Sequence, residues 1–176
     1  MQKLIIELAT LKDLDSILKI TQNALISMKK LGFHQWNENY PNFEIFTQDI
    51  DKNHLYICRK KEQILGFVCI NELFMEEYED VHFNPKFNNK ALYLHRLAVN
   101  QNFKRQGVGF KLLNFCEEFA IRNNKLSLRA DTLSKNLPMN SLFKKLNYQF
   151  CGEFNIKNYN DKFFAYEKIL KNFNFD

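Results

Sequence analysis

A short apolar run from Leu4 to Leu8 is followed by Leu11, Leu14, Ile17, Leu18, Ile20, Leu25 and Met28, which recur at roughly the spacing of a helical stripe. This pattern predicts a strand and then a long helix. Gly32, Trp36, Asn37, Tyr40 and Pro41 interrupt the stripe with turn formers and aromatics, before a short amphipathic stretch from Phe43 to Ile50 predicts a second helix. Leu55 to Cys58 and Ile64 to Ile70 are rich in β-formers and are separated by the charged segment Arg59 to Gln63, which predicts a hairpin. An acidic loop from Glu72 to Asp80 and a polar stretch through Asn89 lead to the apolar run Ala91 to Val99.

Beyond two closely spaced glycines, Val108, Leu112, Phe115, Cys116 and Phe119 form one apolar helical face. Leu126, Leu128 and Ala130 then alternate with polar neighbours, as in a half-buried strand. Pro138 suits the first turn of a helix carrying Met139, Leu142, Phe143 and Leu146. Tyr148 to Phe154 and Phe163 to Leu170 predict two closing strands. The order β-α-α-β-β-β-α-β-α-β-β predicts a mixed α/β (α+β) fold. One domain over residues 1–176 would hold a central, mixed, twisted sheet of about six to seven strands flanked by about four helices.

Composition narrows the compartment and the partners. With 176 residues, 45% of them hydrophobic and 18 of them Phe, the chain has material for one well-filled core. No apolar run approaches the roughly 20 residues needed to span a bilayer, and Glu7 follows the N-terminal Met1-Gln2-Lys3 too soon for a signal peptide. A cytoplasmic protein without a membrane partner is predicted. Cys58, Cys69, Cys116 and Cys151 form no C-x-x-C pair, so buried thiols are expected rather than a disulfide framework or a metal site. The formal charge of +5 is spread along the chain, which suits an anionic small ligand and gives no reason to expect nucleic acid. A homodimer is left open.

The chain has only five glycines, and Gly107 and Gly109 sit where a strand hands over to a helix, in Gln101-Asn102-Phe103-Lys104-Arg105-Gln106-Gly107-Val108-Gly109. Glycine allows a tight turn and close approach to the backbone, and the start of a helix offers unpaired N–H groups and the positive end of its dipole. With Lys104, Arg105 and Lys111 nearby, such a turn suits a pyrophosphate. From two glycines alone, an ordinary helix start remains the simpler reading. The sequence contains no Walker loop, and Leu112 stands where a Rossmann fingerprint needs its third glycine.

The continuous string from Tyr93 to Gly109, with Leu97-Ala98-Val99 ahead of the turn, resembles the central motif of the GNAT superfamily of N-acetyltransferases. There, a strand ending in L-A-V leads into [QR]-x-x-G-x-[GA]. Asp131-Thr132-Leu133-Ser134-Lys135-Asn136 and Phe143-Lys144-Lys145-Leu146-Asn147-Tyr148 resemble two further elements of the same family. The resemblance implies acetyl-CoA as co-substrate, with Leu97, Ala98 and Val99 alongside the pantetheine arm. Lys104, Arg105, Gln106, Gly107, Val108 and Gly109 would hold the pyrophosphate, and Asn136 the pantetheine amides. A plain helix cap is the other role open to Asn136. The sequence departs from the pattern in three places. Lys104 replaces Gln or Arg, Asn147 replaces a glycine, and Phe143 replaces a tyrosine that serves as general acid in many members.

The implied reaction is direct transfer of the acetyl group to a primary amine of a small molecule or peptide, in a ternary complex. An alkylamine with a pKa of about 10.4 is mostly protonated at neutral pH, so freeing it costs on the order of 4–5 kcal/mol and calls for a base. His95 is the candidate, since family members resembling arylalkylamine acetyltransferases carry a histidine at this strand position. Tyr93 shares its face by strand alternation. A histidine packed beneath the sheet is the alternative for His95. By the same resemblance, Trp36, Tyr40 and His34 are candidate substrate-binding residues, while Phe43 and Phe46 are expected in the core. The missing tyrosine keeps a noncatalytic acyl-CoA-binding or sensor module open as the alternative function.

Overall fold

In the computed structural model the described residues are 4–170, so Met1 to Lys3, used above against a signal peptide, lie outside them. The elements are β1 (Ile5–Leu8), α1 (Leu14–Lys30), α2 (Phe43–Asp51), β2 (Leu55–Lys60), β3 (Gln63–Asn71), β4 (Ala91–Val99), α3 (Val108–Arg122), β5 (Ser127–Leu133), α4 (Leu137–Lys145), β6 (Gln149–Phe154) and β7 (Phe163–Ile169). Their order is the predicted one. The strands form a seven-stranded sheet in the order β1-β2-β3-β4-β5-β7-β6. β4 and β5 run parallel, whereas β1–β2, β2–β3, β5–β7 and β6–β7 are antiparallel, so the sheet is mixed. Among the described residues no helix is long and apolar enough to cross a membrane.

The residues group into two compact units, and β4 and α3 contribute to both. The first takes the chain up to Ile70 together with His95–Phe115. Its core forms because α1 turns Leu14, Ile17, Ile20 and Ala24 inward, α2 turns in Phe46 and Ile50, and β2 and β3 offer Leu55, Ile57 and Phe67. Trp36 stacks on Phe67 with ring centroids 6.5 Å apart, and Phe46 meets Phe67 edge-on at 5.3 Å. Each such side chain contributes about 1.5–3 kcal/mol by leaving water. Asn42 starts α2, its side chain accepting the amide of Ile45 at 3.0 Å.

The second unit takes Asn71–Leu94 and the chain from Cys116 onward. Here β5 lies between the first half of β4, paired from Ala91–Ser127 to Leu94–Ala130, and β7, paired from Ser127–Ile169 to Leu133–Phe163. Asn136 caps α4 and Pro138 lies in its first turn. α4 ends as the sequence suggested: Asn147 takes φ +61°, and the amide of Tyr148 returns to the carbonyl of Phe143 at 3.0 Å.

Candidate active site

Within the first unit, β4 runs through Leu97, Ala98 and Val99 into Asn100, whose amide bonds to the carbonyl of Leu65 on β3 at 2.8 Å. The Asn100 side chain then accepts the amide of Asn102, starting the single turn Gln101–Phe103. Arg105 at φ +61° and Gly107 at φ +79° reverse the chain. α3 follows, and the amide of Lys111 makes the helical bond back to Gly107 at 2.9 Å. The helix begins at Val108, and the start of a helix is where backbone amides are offered to a ligand. A Cβ placed on Gly107 would meet nothing within 4 Å, so there is open space beside this backbone. Lys104, Arg105, Gln106 and Gly107 are exposed, while Val108 is buried. This is a cradle in which an anion can meet backbone amides and two cations.

The turn is braced from below by a residue that sequence reasoning passed over. Gly66 on β3 lies so close to β4 that a Cβ there would sit 2.6 Å from the Ala98 carbonyl oxygen, 3.2 Å from Val108 and 3.3 Å from Leu112. The absence of a side chain at Gly66 therefore lets the first turn of α3 and the end of β4 settle on β3.

Arg96, also on β4, adopts φ +48°, outside the extended region, and interrupts the regular alternation of the strand between His95 and Leu97. Its guanidinium is buried. Nε donates to Oδ2 of Asp49 and Nη2 to Oδ1, both at 2.8 Å, while Nη1 donates to the Tyr40 hydroxyl at 3.2 Å. Tyr40 is thereby fixed, half-buried, by a residue of β4. Trp36 is only 5% exposed and belongs to the core, because its ring covers Phe67. His34 is exposed. Phe46 is fully buried as expected, but Phe43 is not a core residue: it is 53% exposed on the outer side of α2.

His95 is half-buried with its Nε2 atom inside the protein. Tyr93, in the second unit, is 3% exposed, and its hydroxyl accepts a 3.0 Å bond from Nη1 of Arg129. Arg129 is itself buried and paired with Glu167 at 2.7 Å. Asn136 accepts the amide of Met139 at 3.4 Å and donates to Oγ1 of Thr132 at 3.0 Å, so it fills the capping role that the sequence left open. Phe143 lies between Tyr148 and Tyr166, with centroids 5.1 and 4.9 Å away. The hydroxyl of Tyr148 is buried, and burial, reinforced by Glu117 and Cys116, raises its pKa well above the ordinary value. All four cysteines are free. Burial pushes the Cys69 thiol up to about 12 and that of Cys151 up to about 11, which keeps both protonated at neutral pH.

Comparison with known proteins follows this geometry closely. The model of the acetyltransferase (GNAT) family matches residues 22–148, a span that contains the turn, Arg96, Asn136 and the end of α4. The chain belongs to the GNAT acetyltransferase family. A relative from Bacillus subtilis (strain 168) described as the uncharacterized N-acetyltransferase YesJ is 25% identical over 146 residues, covering 82% of this chain and 81% of its own. A GNAT-family acetyltransferase structure from Streptococcus agalactiae 2603 superposes with a TM-score of 0.82 at 25% identity, covering 96% of both chains. The fold is shared also with yncA from Salmonella typhimurium, described as an acetyltransferase with its cofactor acetyl-CoA, at a TM-score of 0.72, 14% identity and coverage of 96% of this chain and 94% of that one.

Within this GNAT domain, the motif string was legible because it is continuous in sequence. Asp49 and Arg96 meet across 47 positions, and no local pattern marks them as partners. Gly66 stands alone in a strand pattern, a signal of close backbone approach that could have been read.

Proposed function

We propose that this protein transfers the acetyl group of acetyl-CoA to a primary amine of a small molecule or peptide, the amine attacking directly in a ternary complex. The observation that carries the reading is the turn from Lys104 to Gly109, where open space beside Gly107 meets the amides that begin α3. Lys104 and Arg105 supply charge for the pyrophosphate, and the backbone of Leu97, Ala98 and Val99 offers peptide groups for the pantetheine arm. The family resemblance adds Asn136, which also caps α4, for the pantetheine amides. The YesJ relative's description as an N-acetyltransferase and the acetyl-CoA held by yncA support the same reading. When bound, acetyl-CoA supplies an activated acetyl carbonyl.

The chain's own residues then handle protons and charge. His95 takes a proton lost by nitrogen as the N–C bond forms, and Tyr93, fixed by Arg129, orients a water on the same strand. The amide of Leu97, next to the irregularity at Arg96, or that of Val99 would serve developing negative charge on oxygen. Neither Phe143 nor the strongly proton-retaining Tyr148 serves as acid, so the departing sulfur receives its proton by way of His95 or water. Protonated thiols at Cys69 and Cys151 agree with a route lacking a covalent enzyme intermediate.

The missing acid also favours a second reading, a noncatalytic acyl-CoA-binding module. Release of CoA thiol, measured over a panel of alkylamines, arylalkylamines, polyamines and short peptides, separates the two. Turnover is expected with a subset of amines. His95→Ala should lower kcat by about 10²–10⁴-fold while leaving acetyl-CoA affinity unchanged. Tight acetyl-CoA binding without turnover on any amine overturns the catalytic reading.

A further inference from the structure

Within the first unit, a cleft of about 630 Å³ opens between α1, the β2–β3 hairpin and the segment that follows β4. That volume is in the range of small-molecule sites. Along α1, Lys19, Ile20 and Asn23 recur at three- and four-residue spacing, so one face of the helix forms a wall. Ile20 and Ile64 are buried and give the cleft an apolar base. Asn100 and Asn102 close the side next to the single turn Gln101–Phe103.

Three ammonium groups line the cleft, those of Lys19, Lys60 and Lys61, against the one carboxylate of Glu62. Among the described residues none of the three is paired with a carboxylate, and the side-chain amides of Asn23 and Asn102 have no hydrogen-bond partner. Lys61 is also in an unusual place. It takes φ +53° as the first of two loop residues inside the Lys60–Gln63 pair, where glycine or asparagine is favoured. A lysine there strains the turn, and what it adds is a charge beside the cleft.

Unpaired ammonium groups with amide donors between them suit phosphate or carboxylate oxygens and repel an ammonium. The acceptor amine is therefore a poor occupant. Position along the strand agrees, because Asn100 stands five positions after His95, roughly 15 Å away at the rise of an extended chain. Among the described residues lining the cleft, none comes from Lys104 to Gly109, the turn assigned above to the pyrophosphate.

The cleft nevertheless touches the approach to that turn. Nε2 of Gln101 donates to the Asn23 carbonyl at 3.5 Å, and the Asn100 side chain accepts the amide of Asn102 at 3.2 Å. A ligand bonded to both Asn23 and Asn102 would fasten the single turn Gln101–Phe103 to α1. We propose that this cleft is a second anion site, which binds a small molecule carrying at least two phosphate or carboxylate groups between Lys19, Lys60 and Lys61 and thereby holds that turn against α1. The site goes beyond the acetyl-transfer reading and stands whether or not acetyl-CoA occupies the neighbouring turn.

The test is titration of the ¹⁵N-labelled protein with sodium tripolyphosphate and, separately, with citrate, at constant ionic strength. The two probes distinguish a phosphate from a carboxylate ligand. Saturable amide shifts are expected at Lys19, Asn23, Lys61 and Gln63 with at least one of them. Lys61→Gly removes the ammonium while relieving the backbone, and should weaken that probe about tenfold in a protein no less stable. Asn23→Ala changes no charge, so a loss of similar size there marks a built site, whereas Lys52→Ala removes an exposed charge elsewhere in the unit and should leave affinity unchanged. The amide of Phe103, bonded to the Asn100 carbonyl at 2.8 Å, should exchange with solvent about fivefold more slowly with the probe bound. Shifts that never saturate, shifts confined to Lys104–Gly109, or equal losses in Lys61→Gly and Lys52→Ala overturn the site. An unchanged exchange rate at Phe103 overturns the fastening of the turn. Neither result bears on turnover with amines, which the CoA-release measurement reads independently.

Discussion

Arg96 grips Asp49 at two points, Nε to Oδ2 and Nη2 to Oδ1, each at 2.8 Å, and so ties β4 to α2. Both side chains are largely buried, at 12% and 9% exposure. The pair also holds the hydroxyl of Tyr40, so the loop ahead of α2 depends on it. Asp49→Ala leaves a buried guanidinium without its anion and should cost about 3–5 kcal/mol of unfolding free energy, read from urea denaturation. The double variant Asp49→Ala with Arg96→Met, which removes both charges, should cost less than Asp49→Ala alone. An equal or larger loss in the double variant would show that the pair matters for something other than charge compensation.

Gly66 supports the turn through its lack of a side chain. In Gly66→Ala the new methyl would lie 2.6 Å from the Ala98 carbonyl, which belongs to backbone and cannot swing aside. A loss of about 1–3 kcal/mol is expected, together with weaker acetyl-CoA binding because the start of α3 is displaced. Calorimetric titration and thermal melts of the one variant report both effects. A destabilised protein with undiminished affinity would separate the turn from its support.

Gly107 has the opposite character, since open space adjoins it and only its φ of +79° demands glycine. Gly107→Ala should cost about 1 kcal/mol of stability through backbone strain. Gly107→Glu adds bulk and a negative charge where the pyrophosphate is proposed to lie, and should abolish measurable acetyl-CoA binding while the protein stays folded. Retained affinity in Gly107→Glu would remove the pyrophosphate from this turn.

Asp131 predicts a pH dependence of stability with a definite sign. Its carboxyl titrates near 6 in the folded protein and near the ordinary aspartate value of about 3.9 when unfolded. The folded state therefore binds this proton more tightly, and its contribution falls as pH rises from about 4 to about 6. Asp131→Asn carries no such penalty. It should melt above the wild type at pH 7.5, with the advantage shrinking through that window and gone near pH 4. Parallel melting curves for the two proteins across the whole range would contradict the raised affinity of this carboxyl for its proton.

The order of elements was legible because each carries its own period. The stripe of α1, the alternation before α4 and the asparagine ending α4 at φ +61° are local properties, settled within a few neighbouring residues. The turn before α3 was legible for the same reason, as strand, glycines and helix follow one another without interruption. Trp36 and Phe43 show where local pattern stops. Both lie near α2 in a stretch rich in aromatics, yet Trp36 is 5% exposed against Phe67 and Phe43 is 53% exposed, a difference set by what packs opposite each ring.

By itself, then, the amino-acid sequence determined which segments are helices and strands, where the chain turns on glycine, and that the segment from Tyr93 to Gly109 follows the GNAT pattern, all matters of short-range spacing. Only the tertiary structure decided that Arg96 pairs with Asp49 and that Gly66 sits beneath Ala98. It alone brought Tyr78 to within 2.5 Å of Asp131, 53 positions away along the chain. The physical reason is that burial and charge pairing depend on which elements the sheet sets side by side. That arrangement comes from summed packing across the fold and has no period in the sequence.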